Sequence, residues 1–86
     1  MTLDLPYWIK QRQAKATDLG NGLWKLNGPN LTEAVIGVSM GENLRWQAFL
    51  RATAEGPNLD TTATDLPTAR DALAAAFELY RERFVN

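Results

Sequence analysis

From Ala69 to Phe84 the chain carries an apolar stripe at helical spacing, made of Ala69, Leu73, Ala76, Phe77, Tyr80 and Phe84 and widened by Ala72 and Leu79. Arg70, Asp71, Glu78, Arg81 and Glu82 fall on the opposite side. A stripe this wide is stable only when buried, so the rest of the chain has to supply an apolar surface to receive it. Thr68, followed three residues later by Asp71, resembles a shortened capping box, and Pro67 ahead of it stops helix from propagating backwards. The spacing predicts a helix over 68–84.

Upstream, the period changes from helical to alternating. Asn21-Gly22 is a strong hairpin signal, because both positions of a type I′ turn need positive φ. It joins Arg12–Leu19 to Leu23–Asn27, and a two-residue loop sets Leu19 opposite Trp24, Thr17 opposite Leu26 and Asp18 opposite Lys25. A second hairpin joins Glu33–Met40 to Leu44–Glu55 across Gly41-Glu42-Asn43. Its expected register pairs Met40 with Leu44, Val38 with Trp46, Ile36 with Ala48 and Ala34 with Leu50 on one apolar face. The reverse face pairs Ser39 with Arg45, Gly37 with Gln47, Val35 with Phe49 and Glu33 with Arg51.

Two segments read either way. Leu59–Thr64 is a fifth, threonine-rich edge strand or a loop, and residues 3–9, with Pro6, Tyr7 and Trp8, are a helical turn or an extended lead-in. Gly28-Pro29-Asn30-Leu31 and Gly56-Pro57-Asn58-Leu59 repeat the same four letters after successive strands, which reads as shared turn chemistry. The expected fold is α+β: an antiparallel meander of four strands, five with Leu59–Thr64, and one C-terminal amphipathic helix on one face. A chain of 86 residues has surface enough to bury for one core, so residues 1–86 read as a single domain.

Function is constrained mainly by what the composition lacks. With no cysteine and no histidine, the chain has no disulfide, thiolate or imidazole metal ligand and no nucleophile–histidine dyad. Paired carboxylates are the acid–base chemistry that remains, and Asp60 with Asp65, or Glu33 with Glu42, have no spacing that such chemistry demands. Residues 60–65 lack the alternating oxygen ligands and central glycine of a calcium loop. Gly20 and Gly22 sit in a hairpin and Gly41 ends a strand, so none opens a phosphate-binding helix. The reading is a non-enzyme without cofactor or metal. Met1–Pro6 shows no charged leader, and no apolar run approaches the ~20 residues of a membrane span. The expected setting is the cytoplasm, with no membrane partner.

The net charge is −1, but residues 1–56 carry six basic and five acidic groups while 57–86 carry three and five, so any basic face belongs to the sheet. On the side of the sheet away from the helix, Arg45, Gln47, Phe49 and Arg51 alternate along one strand, with Lys25 and Val35 on its neighbours. Arg45, Phe49, Arg51 and Lys25 are the candidate binding residues: a ring for contact area and cations for charge-assisted hydrogen bonds. The competing expectation pairs Phe49 with Val35 under a roof of Tyr7 and Trp8.

Residues 45–51, Arg-Trp-Gln-Ala-Phe-Leu-Arg, followed by Thr64-Asp65-Leu66-Pro67-Thr68-Ala69-Arg70-Asp71-Ala72 and then Ala75-Ala76, resemble the Apetala-type and phage-integrase arm-binding DNA domains. Those pattern a strand on Trp-x-Ala-x-Ile and then start a helix with aromatic-x-Thr-Ala-x-x-Ala. The resemblance spans about residues 44–80. It implies DNA contacts at Arg45 and Arg51. Here Leu66 stands for the family's aromatic, and the arginine-rich first strands are missing. The first functional reading is therefore a protein-interaction module using the outer sheet face. The second is a nucleic-acid binder using the same face, and the third an enzyme of carboxylates alone.

Overall fold

A computed structural model of the chain describes residues 5–85. Five strands, β1 (Lys15–Gly20), β2 (Leu23–Gly28), β3 (Leu31–Met40), β4 (Trp46–Arg51) and β5 (Asn58–Thr61), form an antiparallel sheet in that order. Helix α1 (Tyr7–Gln11) precedes it and helix α2 (Ala69–Phe84) follows. The fifth strand is thus formed, at an edge. The lead-in turns helical at Tyr7, whereas Leu3 and Asp4 lie outside the described residues.

The predicted helix start holds. Thr68 is extended and its Oγ1 accepts the Asp71 N–H at 3.1 Å. Ala72, Leu73, Ala76, Phe77 and Tyr80 are buried, and α2 packs on β3 and β4. They share one cluster with Trp24, Leu26, Ala34, Ile36, Val38, Ala48 and Leu50 of the sheet and Ile9 of α1. Trp46 packs against the same cluster, as its expected direction requires.

Near its C-terminal end α2 also holds α1 in place. The Tyr80 ring stacks on Trp8 at 5.9 Å and meets Phe84 at 5.1 Å, while its hydroxyl donates to the Thr32 carbonyl. Burial pushes the Tyr80 hydroxyl above the usual phenol range, and the Arg12 guanidinium partly offsets that. Helix α1 ends in a Schellman turn: Gln13 takes φ 57°, the Gln13 N–H donates to Lys10 O and the Ala14 N–H to Ile9 O.

Both hairpin registers depart from expectation, for different reasons. At Asn21-Gly22 the turn is as predicted, with φ 54° and 77°, but Gly20 is also left-handed at φ 82° and accommodates a bulge. Leu19 drops out of the ladder, so Asp18 faces Trp24, Thr17 faces Lys25 and Ala16 faces Leu26. The Gly20 N–H is satisfied by Asp18 Oδ1 at 2.8 Å. Ala16, not Thr17, thereby joins the helix side of the sheet, where it packs against the core.

The β3–β4 hairpin is displaced by two residues. Val38 pairs with Ala48, Ile36 with Leu50, Met40 with Trp46, Gly37 with Phe49 and Val35 with Arg51. Each strand keeps its predicted faces because side chains alternate with period two. The loop is longer than expected, closed by the Gly41 N–H donating to Arg45 O at 2.7 Å, with Leu44 at φ 58° and 72% exposed. A left-handed leucine costs on the order of 1 kcal/mol more than an asparagine there. Leu44→Asn is expected to raise the melting temperature by a few degrees, and a lowered one would contradict this loop geometry.

The repeated tetrapeptide does not fold alike at its two positions. Pro29-Asn30 forms the β2–β3 turn, whereas Pro57 leads straight into β5, which Asn58 begins.

Candidate functional site

Both helices lie on one side of the sheet, and among the described residues no element covers the other. Strand pairing sets a row across that outer face, Thr17, Lys25, Val35, Arg51 and Asn58, one residue from each strand. A neighbouring row holds Leu23, Gly37, Phe49 and Thr61.

Phe49 is not the exposed ring expected of it: only 7% of its surface is accessible. The roof of Tyr7 and Trp8 is not formed either, since Tyr7 is 74% exposed and Trp8 stacks on Tyr80 beneath the sheet. The ring lies in the space that a glycine leaves. A side chain at Gly37 would collide with the Phe49 ring and would stand 2.7 Å from Leu23 Cδ2. Above the ring lies the Arg51 guanidinium, its Cζ 4.4 Å from the ring centroid. Arg51 is fixed from the side as well, donating from Nε to Asn58 Oδ1 at 2.7 Å and from Nη1 to Ala54 O at 3.0 Å.

Of the four predicted site residues the structure brings Phe49 and Arg51 into contact. Lys25 occupies the same row as Arg51 but pairs with Glu33, at 3.8 Å. That pair was expected between Glu33 and Arg51, and the two-residue displacement of β4 explains the exchange. Arg45 lies outside β4, exposed in the β3–β4 loop, and does not join the group. Gly37 is the neighbour of Phe49 that the sequence does not reveal. Alternation places the glycine on the outer face of β3, but only the displaced register sets it beside Phe49.

A concave surface lies on the helix side. A trough of about 570 Å³ runs between α2 and the sheet, lined chiefly by Leu5, Pro6, Trp24, Val38, Leu73 and Phe77. Its origin is simple geometry. A helix about 10 Å across covers two strands spaced about 4.8 Å apart, and five strands are roughly twice that wide. Helix α1 caps the remaining width only at the Tyr80 end.

Among the described residues no group of three or more acidic, histidine or cysteine side chains is placed to hold a metal ion, and no helix is long and apolar enough to cross a membrane. Comparison with protein-family models, with curated proteins and with solved structures finds no match to the chain.

Proposed function

We propose that this chain is a non-catalytic module that binds a protein partner through the outer face of its sheet. One observation carries the reading: Phe49 is sealed beneath Arg51, which leaves the face with one held guanidinium and, among the described residues, no exposed ring. Single-stranded nucleic-acid binding by a sheet relies on aromatic side chains on which bases stack, a component this face does not offer, and of the two arginines that the DNA-domain resemblance points to, Arg45 does not join the face. A protein surface needs no such ring. It can be met by a held guanidinium, which loses little conformational entropy when it forms bidentate hydrogen bonds. The absence of histidine and cysteine from the sequence supports a binding role over a catalytic one.

The test is a pull-down from the source cell, with and without nuclease, using the native chain beside Lys25→Ala/Arg51→Ala. Protein partners should survive nuclease and be lost, or reduced at least several-fold, in the variant. Recovery that disappears with nuclease would move the face to nucleic acid. Recovery indifferent to the two substitutions, in a variant shown folded by circular dichroism, would exclude this face.

A further inference from the structure

We infer that the segment bound by this face is acidic, an extended peptide whose carboxylate seats on the outward end of Arg51 with Lys25 and Lys15 as its flanking charges. The inference rests on the protein-binding reading above and adds the chemistry of the partner. Its first support is charge. The strand positions of the outer face hold Lys15, Lys25 and Arg51 against one carboxylate, Glu33, so the face is net +2 on a chain of net −1. An anionic partner is drawn to this face and repelled by the remainder.

The second support is the state of Arg51. Two of the five N–H groups of a guanidinium are spent on Asn58 and Ala54. Three remain, one on Nη1 and two on Nη2, without an acceptor among the described residues, and the guanidinium lies over the Phe49 ring. A carboxylate accepts with both oxygens from N–H groups on two nitrogens, Nη1 and Nη2, a geometry that a lysine ammonium does not reproduce. The third is spacing. Lys25 and Arg51 lie on either side of Val35, two strand spacings or about 10 Å apart. Acidic side chains at alternate positions of an extended peptide are about 7 Å apart, within reach of both cations once side-chain length is counted.

Glu33 marks where the ligand competes. Its contact with Lys25 is long, and the two side chains are 62% and 39% exposed, so the pair is weakly held and open to exchange. An incoming carboxylate gains Lys25 and meets repulsion from Glu33. Removing the Glu33 charge should therefore tighten binding, a result that a merely structural pair would not give.

The experiment uses a fluorescent twelve-residue peptide of alternating glutamate and threonine, with alternating lysine and threonine as its reverse and a twelve-nucleotide single strand as the polyanion control, each titrated by anisotropy at low salt. The glutamate peptide should bind at least tenfold tighter than the lysine peptide. Arg51→Gln should weaken it about tenfold, Arg51→Lys nearly as much, Lys25→Gln several-fold, and Glu33→Gln should strengthen it several-fold. Arg81→Gln, a change on α2, should leave it unaltered. Each variant is melted first; if Arg51→Gln lacks a folded baseline, the Lys25 and Glu33 variants decide. Absence of glutamate-peptide binding, or binding indifferent to residues 25, 33 and 51, overturns the inference. So does an oligonucleotide that binds tighter and responds to the same variants. Should the peptide fail while the pull-down still loses its partners in the Lys25/Arg51 variant, only the acidic chemistry falls and the protein-binding face stands.

Discussion

Phe77→Ala is expected to lower stability by about 3–5 kcal/mol, the usual cost of emptying a buried phenylalanine site. Small domains hold only about 5–15 kcal/mol in total, so the variant should be largely unfolded at physiological temperature. Phe77 is 1% exposed and belongs to the cluster that joins α2 to β3 and β4. Its surroundings have little freedom to close over the gap. Tyr80, one turn on, is held by its hydroxyl to Thr32 and by its stack on Trp8. Ala72 and Ala76 are too short to reach across. Urea denaturation with fluorescence from the three tryptophans would show the loss as a lower midpoint at unchanged slope. A melting temperature equal to that of the native chain would mean that α2 does not pack through this face.

What the sequence displays well is chemistry that acts over a few residues. The α2 stripe, its Thr68 cap and the Asn21-Gly22 turn each depend on neighbours within one turn of chain, and each forms as read. Register is a different kind of quantity. A displacement of β4 by two residues leaves every apolar side chain on its own face, so burial cannot separate the two pairings, and the choice falls to the loop. That loop uses a left-handed leucine, which no propensity would suggest. Gly20 acts in the same way on β1. Its positive φ turns a plain two-residue hairpin into a bulged one and exchanges Thr17 for Ala16 on the core side.

The surfaces were legible in direction and not in cover. Alternation correctly sends Phe49 and Arg51 outward together, but whether an outward ring is exposed depends on what lies beside it across the sheet. That neighbour is Gly37 only in the displaced register; the expected one would have put Gln47 there and left Phe49 beside Val35. The trough escaped for a related reason. Counting five strands against one long helix would have revealed uncovered sheet, but the fifth strand was an open alternative, and with four strands the deficit is small.

Gly37→Ala is expected to cost about 2–3 kcal/mol, roughly what burying a phenylalanine side chain contributes. The glycine has ordinary extended backbone within β3, so no left-handed conformation is at stake and the cost must come from space. An added Cβ would overlap the Phe49 ring and crowd Leu23. Being the free end of a side chain, the ring can lift, and in lifting it exposes itself and carries off the Arg51 stack. This origin makes the penalty conditional. In a Phe49→Thr background there is no ring to displace, so the same Gly37→Ala change should cost well under 1 kcal/mol, a coupling of about 2 kcal/mol across the four proteins of the cycle. Equal penalties in both backgrounds would show that Gly37 serves something other than the ring. The single variant should also weaken the acidic peptide although every cation is still present, because the guanidinium has lost the surface that held it flat. Affinity unchanged in a protein whose stability has dropped would separate the two, and would show that Arg51 is positioned by Asn58 and Ala54 alone.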